Sequence, residues 1–263
     1  MLKASICVEM VFTELPFLDR IKKAAEIGYD AVEFWNWDNK DMDGVRTVAD
    51  AGGIEVACFQ ANRGGTLIHP EHRDRVVAGV KASLSKAKEM GVQALFLLTD
   101  ELGEDRGVVY KFPELTADER RRNVLRGLAE LAGYAEETGV TLNLEALNTK
   151  VDHPGYWLDH SESGFALIRQ VGSPRLRFLF DVYHMQVMEG DLISRMTGNI
   201  DLIGHVHVAD VPGRHEPGTG EINYRSVLSA LRDAGYDRYV GMEFAPTIPS
   251  ERAAAKALEL VKG

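Results

Sequence analysis

Cysteine is scarce in this 263-residue chain: Cys7 and Cys58 are its two thiols, each inside an apolar run. Two such residues cannot build a disulfide framework. They fit a reducing, cytoplasmic setting, where a buried thiol behaves as a small apolar side chain. Long apolar stretches are missing as well. No run approaches the roughly 18 uncharged apolar residues that a spanning helix needs, so no membrane partner is expected. The opening MLKASICVEMVF carries Glu9 and offers no small-residue cleavage site, and it does not read as a signal peptide. Positive charge is in deficit, with 30 Lys and Arg against 40 Asp and Glu and a net charge of −10. That balance argues against a phosphate-backbone binder, and no nucleic-acid partner is expected. Nor does a G-x-G-x-x-G follow the first apolar run; Gly218-Thr219-Gly220 is only a G-x-G in a loop.

The chain is 45% hydrophobic and 27% charged, as globular proteins are, and it is long enough for one large α/β domain. One cadence recurs: a helical stretch, a glycine, a turn residue, then a short apolar run. It occurs as AAEIGYDAVEF (24–34), ADAGGIEVACF (49–59), AKEMGVQALFLL (87–98), AEETGVTLNLEAL (135–147) and RDAGYDRYVGMEF (232–244). Gly28, Gly91, Gly139 and Gly235 stand where a helix ends in a left-handed residue, which costs glycine nothing. The runs after them are rich in Val, Leu, Ile and Phe without clean alternation, as parallel strands covered on both faces are. Helices follow from 3.6-residue spacing. Val76, Val80, Leu84 and Ala87 form one stripe, and Val124, Leu128, Leu131 and Ala135 another, which Thr116 is placed to cap.

Eight candidate strands result: 3–9, 31–35, 54–59, 94–99, 141–147, 176–182, 203–209 and 239–244. Each precedes a helical segment, the last over 250–262. Eight β-then-α units in a chain of this size predict a (β/α)8 TIM barrel. No composition shift marks a linker, so 1–263 reads as a single domain, with 60–75 and 100–116 as loops on the active face.

In such a barrel the functional side chains lie at the C-terminal ends of the strands. Strand five ends in Glu145, strand six in Asp181, strand seven carries His205 and His207, and strand eight ends in Glu243. An ionised group in an apolar run must be paired or bind a cation, because desolvating it alone is too costly. Each residue alone has a plainer reading: a loop ion pair for either glutamate, a turn cap for Asp181, a satisfied core imidazole for His205 or His207. Their coincidence at one end of four successive strands predicts a site for one divalent metal ion. Three carboxylates and an imidazole suit Mg²⁺ or Mn²⁺, with Co²⁺ or Zn²⁺ also able to bind.

The segments EALNTKVDHPGYWL, FDVYHMQVMEGDL, GHVHVADVPGRHEPGTGEINY and GYDRYVGMEF resemble the hydroxypyruvate isomerase family. That family belongs to the xylose isomerase-like TIM barrels, which include the ketose 3-epimerases. The likeness spans essentially the whole chain, and DVPGRHEPGTGEINY is its most specific piece. It implies metal ligands at Glu145, Asp181, His207 and Glu243, an acid/base pair in Glu145 and Glu243, and substrate contacts from His184 and Arg214. Two positions depart from the pattern. Hydroxypyruvate isomerases tend to carry Gln at the position of His207 and Pro at that of Ala146, whereas His is the habit of the ketose 3-epimerases. Family members often associate into homodimers or homotetramers, so either state is expected by analogy.

The chemistry suits these residues. Isomerising a small hydroxy-keto acid, such as hydroxypyruvate to tartronate semialdehyde, removes a proton next to a carbonyl. A divalent cation neutralises the developing enediolate, and one carboxyl group takes the proton while another returns it. Strands five and eight stand about 135° apart around an eight-membered ring, so their glutamates reach a substrate from nearly opposite faces. That geometry serves epimerisation as well as isomerisation. Arg214 is suited to clamp a substrate carboxylate, or else pairs locally with Glu216 or Glu221. Trp35, Phe12 and Trp157 are candidate apolar walls or plain packing, and His153 reads as loop structure. A ketose 3-epimerase is the alternative function. An endonuclease IV-like metal hydrolase fits less well, because it needs more metals, more His ligands and a basic groove.

Overall fold

Covered on both faces by the rest of the chain, the apolar runs form eight strands in the computed structural model, which describes residues 2–62 and 64–263. They are β1 (Lys3–Cys7), β2 (Ala31–Phe34), β3 (Glu55–Phe59), β4 (Ala94–Leu97), β5 (Thr141–Glu145), β6 (Leu176–Asp181), β7 (Ile203–Val208) and β8 (Tyr239–Met242). The helices between them are α1 (Phe17–Ile27), α2 (Met42–Gly52), α3 (Arg73–Met90), α4 (Ala117–Thr138) and α5 (Ser161–Val171). They continue with α6 (Val182–Met188), α7 (Leu192–Thr197), α8 (Tyr224–Asp233) and α9 (Ser250–Lys262). All paired strands run parallel, hydrogen-bonded in the order β3-β2-β1-β8-β7-β6-β5-β4. Among the described residues a single parallel bridge, of Gln60 with Phe96, spans the seam between β3 and β4, and the Ala61 N–H donates to the Phe96 carbonyl at 2.7 Å. The result is the nearly closed (β/α)8 TIM barrel that the repeated cadence predicts.

Most strands stop one or two residues short of the apolar runs, because the last residues leave the ladder to line the rim. The stretch 60–75 is not all loop: a 3-10 turn at Pro70–His72 leads into α3 at Arg73. Strand β6 is followed by two short helices rather than one. Gly28, Gly91 and Gly139 cap their helices in the left-handed conformation. At the end of α8 the capping residue is Ala234, and Gly235, also left-handed, comes one position later. Thr116 caps α4 as expected, in a capping box closed by Glu119.

Period-two alternation sorts the strand side chains. Leu142 and Leu144, Phe178 and Phe180, Val206 and Val208, and Val240 and Met242 join the core between sheet and helices. Phe178 there packs against Phe165 of α5, with ring centroids 4.7 Å apart. Gly164 permits this approach, because a Cβ there would overlap the Phe178 ring. The alternate residues face one another inside the barrel. Near the seam they are apolar, with Cys58, Phe96 and Leu179 forming a small cluster of their own. Elsewhere Glu33, Glu145, Asp181, His205 and His207 are polar and at most 3% exposed. A lumen of this kind is stable only if its charges are paired or bind a cation. No helix among the described residues is long and apolar enough to cross a membrane.

Candidate metal centre

Glu145 is the last residue of β5, Asp181 the last of β6, His207 the penultimate residue of β7, and Glu243 follows β8 directly. Register sets Asp181 beside His207 and His207 beside Gly241, with Glu145 beside Leu179 two residues before Asp181 and Glu243 two residues past Gly241, and the four side chains converge at the rim. One ligand atom from each lies within 4.8 Å of all the others. The His207 Nδ1 is 3.2 Å from a Glu243 oxygen and 3.8 Å from a Glu145 oxygen. Both His207 Nδ1 and Glu145 Oε1 are buried without a hydrogen-bond partner. Polar atoms are seldom left so. Three carboxylates and an imidazole nitrogen, two of them with unspent donor atoms, fit a divalent cation of the hard or borderline kind.

The two glutamates are not equivalent. Burial pushes the Glu145 carboxyl up, and the neighbouring acids Glu243 and Asp181 add to this against His207, leaving it at about 7. Burial also opposes ionisation of Glu243, but the charges of Arg214 and His207 outweigh it and bring Glu243 down to about 2. Asp181 is raised, chiefly by burial, despite Arg214. For His207 the desolvation cost is overcome by Glu33 and Glu243, which hold its imidazolium well above the usual histidine range.

Asp181 has two duties. One oxygen accepts the His184 backbone N–H at 3.0 Å and caps α6, and the other meets the Arg214 guanidinium at 3.0 Å. Capping and site membership, alternatives in the sequence, coexist here.

His184 and Arg214 converge on the same rim. Arg214 comes from the loop after β7, and its guanidinium binds Asp181 and Glu243. The local partners open to it in the sequence are engaged elsewhere, Glu216 with Thr247 and Glu221 with Gln186. The His184 Nδ1 faces two donors, the Asn148 backbone N–H at 3.1 Å and the Asn148 side-chain amide at 2.7 Å. Those donors place the ring proton on Nε2, which lies 2.9 Å from an Arg214 nitrogen and 3.6 Å from Asp181. Burial and Arg214 keep the imidazole well below its ordinary pKa and therefore neutral. Asn148 is itself held by Asp152, which also accepts the Tyr183 hydroxyl at 2.7 Å.

The proposed walls separate into different roles. Trp35 is 39% exposed, and its indole N–H donates to Glu243 at 2.9 Å, a polar contact that an apolar wall does not anticipate. Phe12 is fully buried packing, and the backbone N–H of Trp157 donates to Asp100. His153 sits against the His184 ring, 5.3 Å between centroids, while its Nδ1 meets the Arg106 carbonyl.

Sequence reasoning missed Glu33. Its carboxylate lies between the Nε2 atoms of His205, at 2.9 Å, and His207, at 3.1 Å. With Cys58, these residues form a second compact group of potential donors, one layer below the first and sharing His207. The signal was present: an acid inside AVEF on β2 repeats the pattern that singled out the other strands.

The sequence profile of the xylose isomerase-like TIM barrel family matches residues 21–263. A 2-oxo-tetronate isomerase of Cupriavidus necator is 32% identical to the chain, over 91% of each protein. The hydroxypyruvate isomerase of Escherichia coli is 30% identical, over 95% of this chain and 96% of that one. Among solved structures, an AP endonuclease of family 2 from Brucella melitensis superposes with a TM-score of 0.88 at 26% identity, covering 98% of this chain and 99% of the other. D-psicose 3-epimerase from Clostridium cellulolyticum H10 shares the fold at a TM-score of 0.82 and 20% identity, covering 99% of this chain and 98% of that one.

Proposed function

This chain belongs to the xylose isomerase-like TIM barrel family and is an isomerase, and on that premise we propose that it interconverts small 2-oxo-3-hydroxy acids and their isomers by a metal-dependent proton transfer. Hydroxypyruvate to tartronate semialdehyde is the reaction assigned, with 2-oxo-tetronate as the next longer substrate of the same class. The observation that carries this reading is the convergence of Glu145, Asp181, His207 and Glu243, with two buried donor atoms left unsatisfied.

These four residues would hold one divalent cation, Mg²⁺ or Mn²⁺ by donor type. When bound, the cation supplies positive charge against the enediolate that forms as the substrate loses its proton. Glu145 and Glu243 act as the acid/base pair, one taking the proton from C3 and the other delivering one to C2. In the absence of a cation their surroundings already differ, with Glu145 pushed up to about 7 by burial and Glu243 brought down to about 2 by Arg214 and His207. His184 offers its Nε2 proton to a substrate oxygen. Arg214 receives the substrate carboxylate, a group common to both acids named for the relatives.

The imidazole of His207, third of the four proposed ligands, favours a second reading, a ketose 3-epimerase. An uncharged ketose would give the Arg214 guanidinium no carboxylate partner, and the first reading is preferred for that reason.

Deuterium exchange decides between them. Mn²⁺-loaded protein in D₂O is expected to wash deuterium into C3 of hydroxypyruvate, followed by NMR, and to do so much faster than into a ketose. EDTA should abolish exchange, and Glu145→Gln or Glu243→Gln should each slow it at least about 10²-fold, the scale of general acid–base catalysis. Exchange that survives both the chelator and the two substitutions overturns the mechanism. Faster exchange into a ketose transfers the assignment to the epimerase, and cleavage of an abasic duplex transfers it to a nuclease.

A further inference from the structure

We propose that Glu33 is a positioning residue for the cation seat: from β2 it fixes the His207 ring so that Nδ1 is presented to Glu145, Asp181 and Glu243. The inference rests on the metal-centre reading above and extends it to a residue one layer deeper in the barrel.

His207 has different surroundings at its two nitrogens. Nδ1 faces the carboxylates of Glu145 and Glu243, and Nε2 faces a Glu33 oxygen at 3.1 Å. An imidazole can ligate through one nitrogen only if its proton rests on the other, and a carboxylate facing that other nitrogen keeps it there. Glu33 is well suited to be that acceptor. Its second oxygen receives the Ser5 hydroxyl at 3.1 Å, the His205 Nε2 at 2.9 Å and the Cys58 thiol at 3.6 Å, so the carboxylate is anchored from β1, β3 and β7. The oxygen turned to His207 and the His207 Nε2 are both buried with no hydrogen-bond partner of their own, so at 3.1 Å each is available to the other. Gly241 of β8 shapes the niche, since a Cβ at that position would overlap the carboxylate. His205, perpendicular to His207 at 4.9 Å between ring centroids, buttresses the same arrangement.

Glu33, Cys58, His205 and His207 also offer donors close enough to hold a cation of their own. Three donors already satisfy one Glu33 oxygen, and ligation there would turn the His207 Nε2 away from its role as proton carrier. The positioning role therefore accounts for the cluster with fewer groups displaced.

The experiment measures Mn²⁺ alone, by the EPR signal of the free ion titrated with full-length protein. Wild type is expected to bind one ion per chain, and Glu33→Gln should weaken that binding by about 10- to 100-fold, the range typical of lost partners behind a ligating histidine. Gly241→Ala leaves every ligand in place but displaces the Glu33 carboxylate, and it should reproduce the loss if Glu33→Gln does not fold. In Mg²⁺-loaded protein, ¹H–¹⁵N correlation of the histidine rings should place the His207 proton on Nε2 in wild type and show a mixture in Glu33→Gln.

Equal Mn²⁺ affinity in wild type and both variants overturns the role of Glu33 while leaving the metal centre intact. Absence of Mn²⁺ binding to wild type overturns the metal centre and this inference with it. Two ions per wild-type chain, falling to one in Cys58→Ser, would make the lower cluster a cation seat and likewise overturn the positioning role.

Discussion

The Arg214 guanidinium lies 3.0 Å from the Asp181 carboxylate, and the same nitrogen binds Glu243. An internal cation thus stands against two of the four groups assigned to an external one. Its other terminal nitrogen is 2.9 Å from the His184 Nε2, where two donors meet. A substrate oxygen or carboxylate accepting from both would resolve that contact. Arg214→Met is therefore expected to raise KM for hydroxypyruvate by about 10²-fold, the loss of a charge-assisted pair, without weakening Mn²⁺ binding. Steady-state kinetics and Mn²⁺ titration of the same sample check both halves.

Cation binding should release protons in a pH-dependent way. Glu145 holds its proton up to about pH 7 in the cation-free protein, and His207 is also held protonated. Both must give them up to become ligands. Raising the pH through 7 ionises Glu145 beforehand, so binding at pH 6 should release about one proton more than binding at pH 8.5, and affinity should fall on acidification. Calorimetry in buffers of different ionisation enthalpy counts the protons. Equal release at the two values would contradict the assignment of Glu145.

Asp152 is linked through Asn148 to His184, the proposed substrate contact. Removing its carboxylate in Asp152→Ala frees the Asn148 amide and the Tyr183 hydroxyl. The His184 proton is then less firmly placed. A loss of about tenfold in kcat/KM is expected, equivalent to one hydrogen bond, with Mn²⁺ affinity unchanged. A parallel loss of metal affinity would show that Asp152 acts on the whole rim and not on His184.

Gly164→Ala tests the packing outside the sheet. The added methyl overlaps the Phe178 ring, which is also enclosed by Phe165 and Phe180. Overpacking of this kind costs about 1–3 kcal/mol. Thermal melts should show a drop of about 2–4 °C for each kcal/mol, with Mn²⁺ affinity unaltered.

The eight strands were legible because each apolar run is short, flanked by a turn and doubly buried, and because glycine ends so many helices. Strand ends were less so, since departure from the ladder depends on neighbours far along the chain. Glu145, Asp181 and Glu243, together with the pair His205 and His207, stood out as charged or titratable groups set into apolar runs at successive strand ends, and the family resemblance singled out His207 of the two histidines. Glu33 has the same signature, but its meaning depends on His205, 172 residues later. For Arg214 the sequence offered Glu216 and Glu221 as local partners. The loop instead carries it to Asp181 and Glu243, 33 and 29 positions away in the chain. Trp35 reads as an apolar ring in the sequence, and only its orientation reveals an N–H committed to Glu243.

The lone bridge of Gln60 with Phe96 has a bearing on how such a scaffold diversifies. Strands β5 to β8, which carry the four proposed cation ligands, each pair with a strand on both sides, whereas among the described residues β3 and β4 meet through that one bridge. Loops issuing from that joint can change length without interrupting the ladders among the strands that carry the acids and the imidazole. A gene duplicate could in this way admit bulkier molecules by altering the loops at that joint alone and inherit the cluster of acids and imidazole unchanged.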